Sequence, residues 1–98
     1  MFMRVHRRPE DTIVALCDAE LMGRVLREGG AVIDLDKYGG FYKGEKVGEE
    51  KAAEALKSAT SINAVGEKSV GVVRKAVGFA EDKVKFIQGM PHVQAYKV

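Results

Sequence analysis

Four groups of residues in this chain combine types and spacing that could do chemistry. The first is Thr60-Ser61-Ile62-Asn63-Ala64-Val65-Gly66-Glu67-Lys68-Ser69. An extended piece, a glycine and a helix start leave backbone N–H groups free at a positive dipole end, a geometry that binds anions. Asn63, Gly66 and Glu67 would form that corner, and Lys68 and Ser69 could add a charge and a hydroxyl. The stretch lacks the G-x-x-x-x-G-K-[ST] spacing of a phosphate loop, and Glu67 would repel an incoming phosphate. The plainer alternative is a strand-to-helix turn, with Asn63 bonding local backbone and Glu67 complementing the helix dipole.

The second group is Gly89-Met90-Pro91-His92-Val93-Gln94. His92 titrates near neutrality and can act as acid, base or ligand; alternatively it hydrogen-bonds a neighbouring loop. The third is Cys17, placed by the pattern just before a helix, where a thiol can have a lowered pKa. Its competing role is that of a small apolar core residue. The fourth is the basic cluster Arg4, His6, Arg7 and Arg8. With Tyr38, Phe41, Tyr42 and Lys43 it could provide phosphate contacts and base stacking; otherwise it is a charged strand edge that discourages aggregation. Cys17, His6 and His92 show no metal-ligand spacing, so no metal or cofactor is expected. Neither a Ser/His/Asp arrangement, a carboxylate pair nor a dinucleotide fingerprint is present. Whether the protein is an enzyme stays open.

The elements that must position these groups follow from periodicity. Residues 2–8 alternate as a strand, Pro9-Glu10-Asp11-Thr12 has turn chemistry, and the continuous apolar run Ile13 to Cys17 suits a central strand covered on both faces. Asp18 reads as the N-cap of a first helix carrying Leu21, Met22, Val25 and Leu26, ended by Gly29-Gly30. Residues 31–35 form a strand, and 36–44 a glycine- and tyrosine-rich loop. Gly48-Glu49-Glu50 opens a second helix with Ala52, Leu56 and Ala59 on one face. A short strand at 61–65 leads through Gly66-Glu67 into a third helix, with Val70, Val73 and Val77 on one face and Gly78 at its end. Strands at 83–88 and 92–98 close the chain. The order ββαβαβαββ predicts an α+β fold, a mixed sheet with three packed helices, in a single domain over residues 1–98. Leu21, Val25, Leu56, Val73 and Phe86 are the expected core.

Bulk properties agree. The chain has 98 residues, 46% hydrophobic and 31% charged, with a formal net charge of +2. This suits a folded domain and is too small a charge to imply nucleic-acid binding by itself. One cysteine excludes an internal disulfide, and no apolar run approaches the length of a membrane span. A cytoplasmic protein without a membrane partner is expected.

Ala15-Leu16-Cys17-Asp18, the stretch Thr60 through Glu67, and Pro91-His92-Val93-Gln94 occur in the same order as in an archaeal family. On these residues the chain resembles the "domain of unknown function 424" family over nearly its whole length. The resemblance implies an archaeal cytoplasmic protein and carries no reaction, cofactor or catalytic residue with it. The leading functional expectation is a small non-catalytic binding module in archaeal information processing. It would contact RNA or a ribonucleoprotein partner, with Arg4, Arg7 and Arg8 on phosphate. The rival is a small enzyme or ligand-binding domain for an anionic or phosphorylated molecule at a corner joining Asn63, Gly66 and Glu67 to His92. A structural subunit of a larger assembly is the third.

Overall fold

In the computed structural model, which describes residues 1–96, strand β2 (Thr12–Cys17) runs through the middle of the molecule. Val14, Ala15, Leu16 and Cys17 are all fully buried. Consecutive residues of a strand point to opposite faces, so both faces of β2 must be covered. On one side β2 pairs antiparallel with β1 (Phe2–Arg7), joined by a turn in which Arg8 and Asp11 exchange backbone hydrogen bonds.

The remaining elements follow in chain order. They are β3 (Val25–Glu28), β4 (Ala31–Asp34), β5 (Glu45–Lys46), helix α1 (Glu49–Leu56), β6 (Ser61–Val65), helix α2 (Glu67–Ala76), β7 (Lys85–Ile87) and β8 (Met90–Tyr96). Six strands form one sheet in the order β5-β1-β2-β6-β8-β7. The β2–β6 pair is parallel and the others are antiparallel. Both helices pack on one face, over a core that includes Leu16, Leu56, Ile62, Val70, Val73 and Val93. On the other face, a second cluster of Ala15, Cys17, Leu21, Leu35, Tyr42 and Val65 lies beneath the segment between β2 and β5. The result is α+β with a mixed sheet. Neither described helix is long and apolar enough to cross a membrane.

Two helices form among the described residues, not three. The expected first helix is a single 3₁₀ turn at Ala19–Leu21, followed by the β3–β4 hairpin. The spacing of Leu21, Met22, Val25 and Leu26 mimics a helical stripe, but Gly23 interrupts it with φ +91°. Gly29-Gly30 is then the two-residue link of a hairpin, with Glu28 opposite Ala31 and Val25 opposite Asp34. Two glycines between short β-prone runs are a hairpin signal, because Gly29 must take positive φ, here +59°.

Two expected core residues change with this correction. Val25 faces outward on β3, and Phe86, 61% exposed, lies on the edge strand β7. The helices pack mainly on β2, β6 and β8 and leave that edge uncovered. Leu21, Leu56 and Val73 are buried as expected. The last strand begins at Met90, earlier than its pattern suggested, and the bend falls at Gln88-Gly89, both with positive φ. Lys97 and Val98, assigned to that strand from sequence, lie outside the described residues.

Candidate functional site

Sheet register decides which polar side chains meet. Ile62 and Ala64 point into the helix-side core, so Ser61, Asn63 and Val65 point to the opposite face. On β8, Val93 and Ala95 likewise face the helices, which turns His92, Gln94 and Tyr96 to the other side. Val65 stands opposite His92, Asn63 opposite Gln94, and Ser61 opposite Tyr96. Three cross-strand pairs therefore share one face, apolar under the hairpin at one end and open at the other, where Tyr96 is 77% exposed.

Against this face the segment between β4 and β5 raises a wall. Asp34 fixes the turn by accepting hydrogen bonds from the backbone N–H groups of Asp36 and Lys37 at 3.0 and 2.8 Å. Phe41 is anchored by His6 of β1. The His6 ring stacks on it with centroids 4.4 Å apart, and His6 Nε2 donates to the Phe41 carbonyl at 2.8 Å. Arg4 Nη1 donates to the Gly40 carbonyl at 2.6 Å. The space between wall and sheet is a cleft of about 300 Å³, lined by Asn63, His92 and Gln94 from the sheet and by Tyr38, Phe41 and Tyr42 from the loop.

The side chains of Asn63, His92 and Gln94 make no hydrogen bond to any described residue. The plainer roles suggested by the sequence, Asn63 bonding local backbone and His92 bonding a neighbouring loop, are therefore not met among the described residues. The two turns are tied by backbone: Gly66 N–H donates to the Pro91 carbonyl at 2.9 Å. Burial lowers the His92 pKa from its ordinary 6.5. The neutral ring offers one donor and one acceptor. Tyr42 is pushed up to about 12, first by burial and then by Cys17, so its phenol keeps its proton at neutral pH.

The lowered pKa gives a stability signature. In the folded state His92 binds protons less readily than in the unfolded chain, so its contribution is present above pH 6.5 and lost as pH falls below it. Urea denaturation midpoints are expected to fall between pH 7 and pH 5, and His92→Gln should flatten that decline. An unchanged slope in the variant would remove His92 as its cause.

The expected anion corner is not one site. The N-terminus of α2 already holds an anion, the carboxylate of Asp18. Lys68 N–H donates to Oδ2 at 3.1 Å, and Ser69 N–H and Ser69 Oγ both donate to Oδ1 at 2.8 Å. The N-cap assigned to a first helix thus caps the last one, across the parallel β2–β6 pair. Glu67 is turned to the helix side, where it lines a separate cavity of about 420 Å³ between the starts of α1 and α2. Asn63 and His92 share a cleft; Gly66 and Glu67 do not belong to it.

The arginine cluster also separates. Arg4 and Arg7 point to opposite faces of β1, and Arg8 forms a two-bond pair with Asp11 at 2.7 and 2.6 Å. Of the three arginines, Arg7 alone has no partner among the described residues. Burial, then Asp18, raises the Cys17 thiol to about 12, and its Sγ donates to the Asp18 carbonyl, so it is no nucleophile at neutral pH. Sequence reasoning did not single out Gln94. The alternation Pro91, His92, Val93, Gln94, Ala95, Tyr96, apolar then polar, carried the signal for it.

No curated protein matches the chain. Its fold is similar to the crystal structure of an uncharacterized conserved protein from Methanopyrus kandleri. The TM-score is 0.81 and the identity 30%, covering 97% of this chain and 89% of that one. The family model described as "Protein of unknown function (DUF424)" matches residues 6–98. The chain belongs to this DUF424 family.

Proposed function

We propose that this protein is a non-catalytic binding module that takes an unpaired base of single-stranded RNA into the cleft between β6–β8 and the 35–42 loop. The observation that carries the reading is the set of three polar heads, Asn63, His92 and Gln94, that line an aromatic-walled cleft and have no hydrogen-bond partner among the described residues. Two carboxamides and a neutral imidazole supply both donors and acceptors from one face of the sheet, which suits the edge of a base. Tyr38, 63% exposed, offers a face for stacking, with the Lys37 ammonium 5.5 Å from its ring centre. Unpaired bases are commonly held in this way, stacked on aromatic rings and bonded along their edges. A role in archaeal information processing, in the cytoplasm, goes with this reading.

The anionic small-molecule alternative loses its main support, because Asp18 occupies the helix N-terminus it relied on.

The test is fluorescence anisotropy with labelled hexauridylate and hexaadenylate at low salt. Tyr38→Ala is expected to weaken binding by about 1–3 kcal/mol, the worth of one stacked base. Asn63→Ala with Gln94→Ala should narrow the difference between the two oligonucleotides, since edge contacts carry the discrimination. Absence of wild-type binding to either RNA, or affinity indifferent to Tyr38, would remove the reading.

A further inference from the structure

Across the wall made by His92 and Gln94 lies a second cavity, of about 390 Å³, lined also by Asp82, Lys83 and Lys85. Lys85 stands directly opposite His92 on the neighbouring strand, so both emerge on the same face of the sheet. His92 and Gln94 line this cavity and the aromatic cleft alike.

The two lysines are uncommitted. Lys83 and Lys85 form no ion pair among the described residues, although Lys51, Lys57, Arg74, Lys75 and Arg8 all do. Glu81, next to them in the chain, is held away by Arg74 through bonds of 3.0 and 3.1 Å. Asp82 is the one carboxylate in the cavity, against two ammonium groups. Ammonium groups on long stems, with an amide and a neutral imidazole beside them, suit a singly charged phosphodiester. A nucleotide joins its base to its phosphate through one sugar, and here a polar-donor cavity adjoins a base-sized cleft across two shared side chains.

We propose that the Lys83–Lys85 cavity is the phosphate subsite of the RNA-binding cleft, holding the backbone phosphodiester adjacent to the bound base. This rests on the RNA reading above and adds to it the position of the backbone and the residues that neutralise it.

The experiment measures the salt dependence of hexauridylate and hexaadenylate binding for the wild type and for Lys83→Gln/Lys85→Gln. Each lost contact to a single strand removes about 0.7 from the slope of log affinity against log salt. Lys83 and Lys85 share one phosphodiester, so the double variant is expected to lose about 0.7 in all, with the order of preference between the two oligonucleotides unchanged. A control pair on and just past α1, Lys51→Gln/Lys57→Gln, should leave the slope where it was. If the control lowers the slope equally, the effect is diffuse charge and the subsite is overturned. If the slope survives Lys83→Gln/Lys85→Gln while Tyr38→Ala still weakens binding, the subsite falls and the base cleft stands. If the wild type binds neither oligonucleotide, both fall. Inorganic phosphate separates the two sources of the anion. A backbone subsite releases RNA no faster in phosphate than in chloride of equal ionic strength. Preferential release by phosphate would mark a free-anion site instead and overturn the assignment.

Discussion

Asp18→Ala is expected to lower the unfolding free energy by about 3–5 kcal/mol. The side chain is 3% exposed, and its two oxygens accept from Lys68 N–H, Ser69 N–H and Ser69 Oγ. Ordinary N-cap loss costs about 0.5–2 kcal/mol, because water replaces the missing acceptor. Water has poor access here: Ser69 is fully buried, and removal of the carboxylate strands its hydroxyl and amide. Each buried donor left unmet costs about 1–3 kcal/mol. The contact is also long-range, joining the end of β2 to the start of α2, so its loss loosens the helix from the sheet. Asp18→Asn should fall between wild type and alanine, since one amide oxygen can still accept from Ser69 while its NH₂ confronts Lys68 N–H. Equilibrium urea denaturation reads both variants. An alanine variant within about 1 kcal/mol of wild type would show that the cap is not a structural anchor.

How legible this was in the sequence depends on the range of the interaction. Ile13 to Cys17 announced a strand buried on both faces, because an unbroken apolar run admits few other solutions. The starts of α1 and α2 were visible in Gly48-Glu49-Glu50 and Gly66-Glu67. That Asp18 caps a helix was also readable; which helix was not. Local spacing put it before Leu21, whereas the parallel pairing of β2 with β6 brings it to Lys68 and Ser69, fifty residues on. The Gly29-Gly30 pair was open to two readings, helix stop or hairpin link, and the stripe from Leu21 to Leu26 favoured the wrong one. Asn63 and His92 could be picked out as polar residues in otherwise apolar stretches, and the Gly66–Pro91 contact joins the end of β6 to the start of β8. Gln94 stood in the stretch with His92 but was given no role of its own, although alternation along one strand puts it on the same face; Lys85 escaped notice because only the β7–β8 register brings it to His92, and Lys83 precedes β7 in a turn. Glu67 was assigned to the wrong side because the first turn of α2 rotates it toward α1.

Gly66→Ala is expected to cost about 5 kcal/mol, for two reasons that can be separated. Gly66 has φ +105°, a backbone conformation that strains any residue with a Cβ. Such strain costs about 1–3 kcal/mol. The second reason is the neighbour. A Cβ at this position would lie 2.5 and 2.6 Å from the two carboxylate oxygens of Asp18, so the methyl and the cap cannot coexist. Alanine at 66 therefore evicts Asp18 and forfeits the cap as well. Against a total stability of about 5–15 kcal/mol for a domain, the variant sits near the edge of folding. Denaturation in trimethylamine oxide, which favours the compact state, keeps it measurable. The two contributions separate in a double-mutant cycle. If the methyl acts by evicting the carboxylate, the cap is lost only once. Adding Asp18→Ala to Gly66→Ala should then cost almost nothing further, leaving a coupling of about 3 kcal/mol or more. If the two substitutions add in full, backbone strain alone explains Gly66, and the close approach of Asp18 to the helix start is not what requires a glycine there.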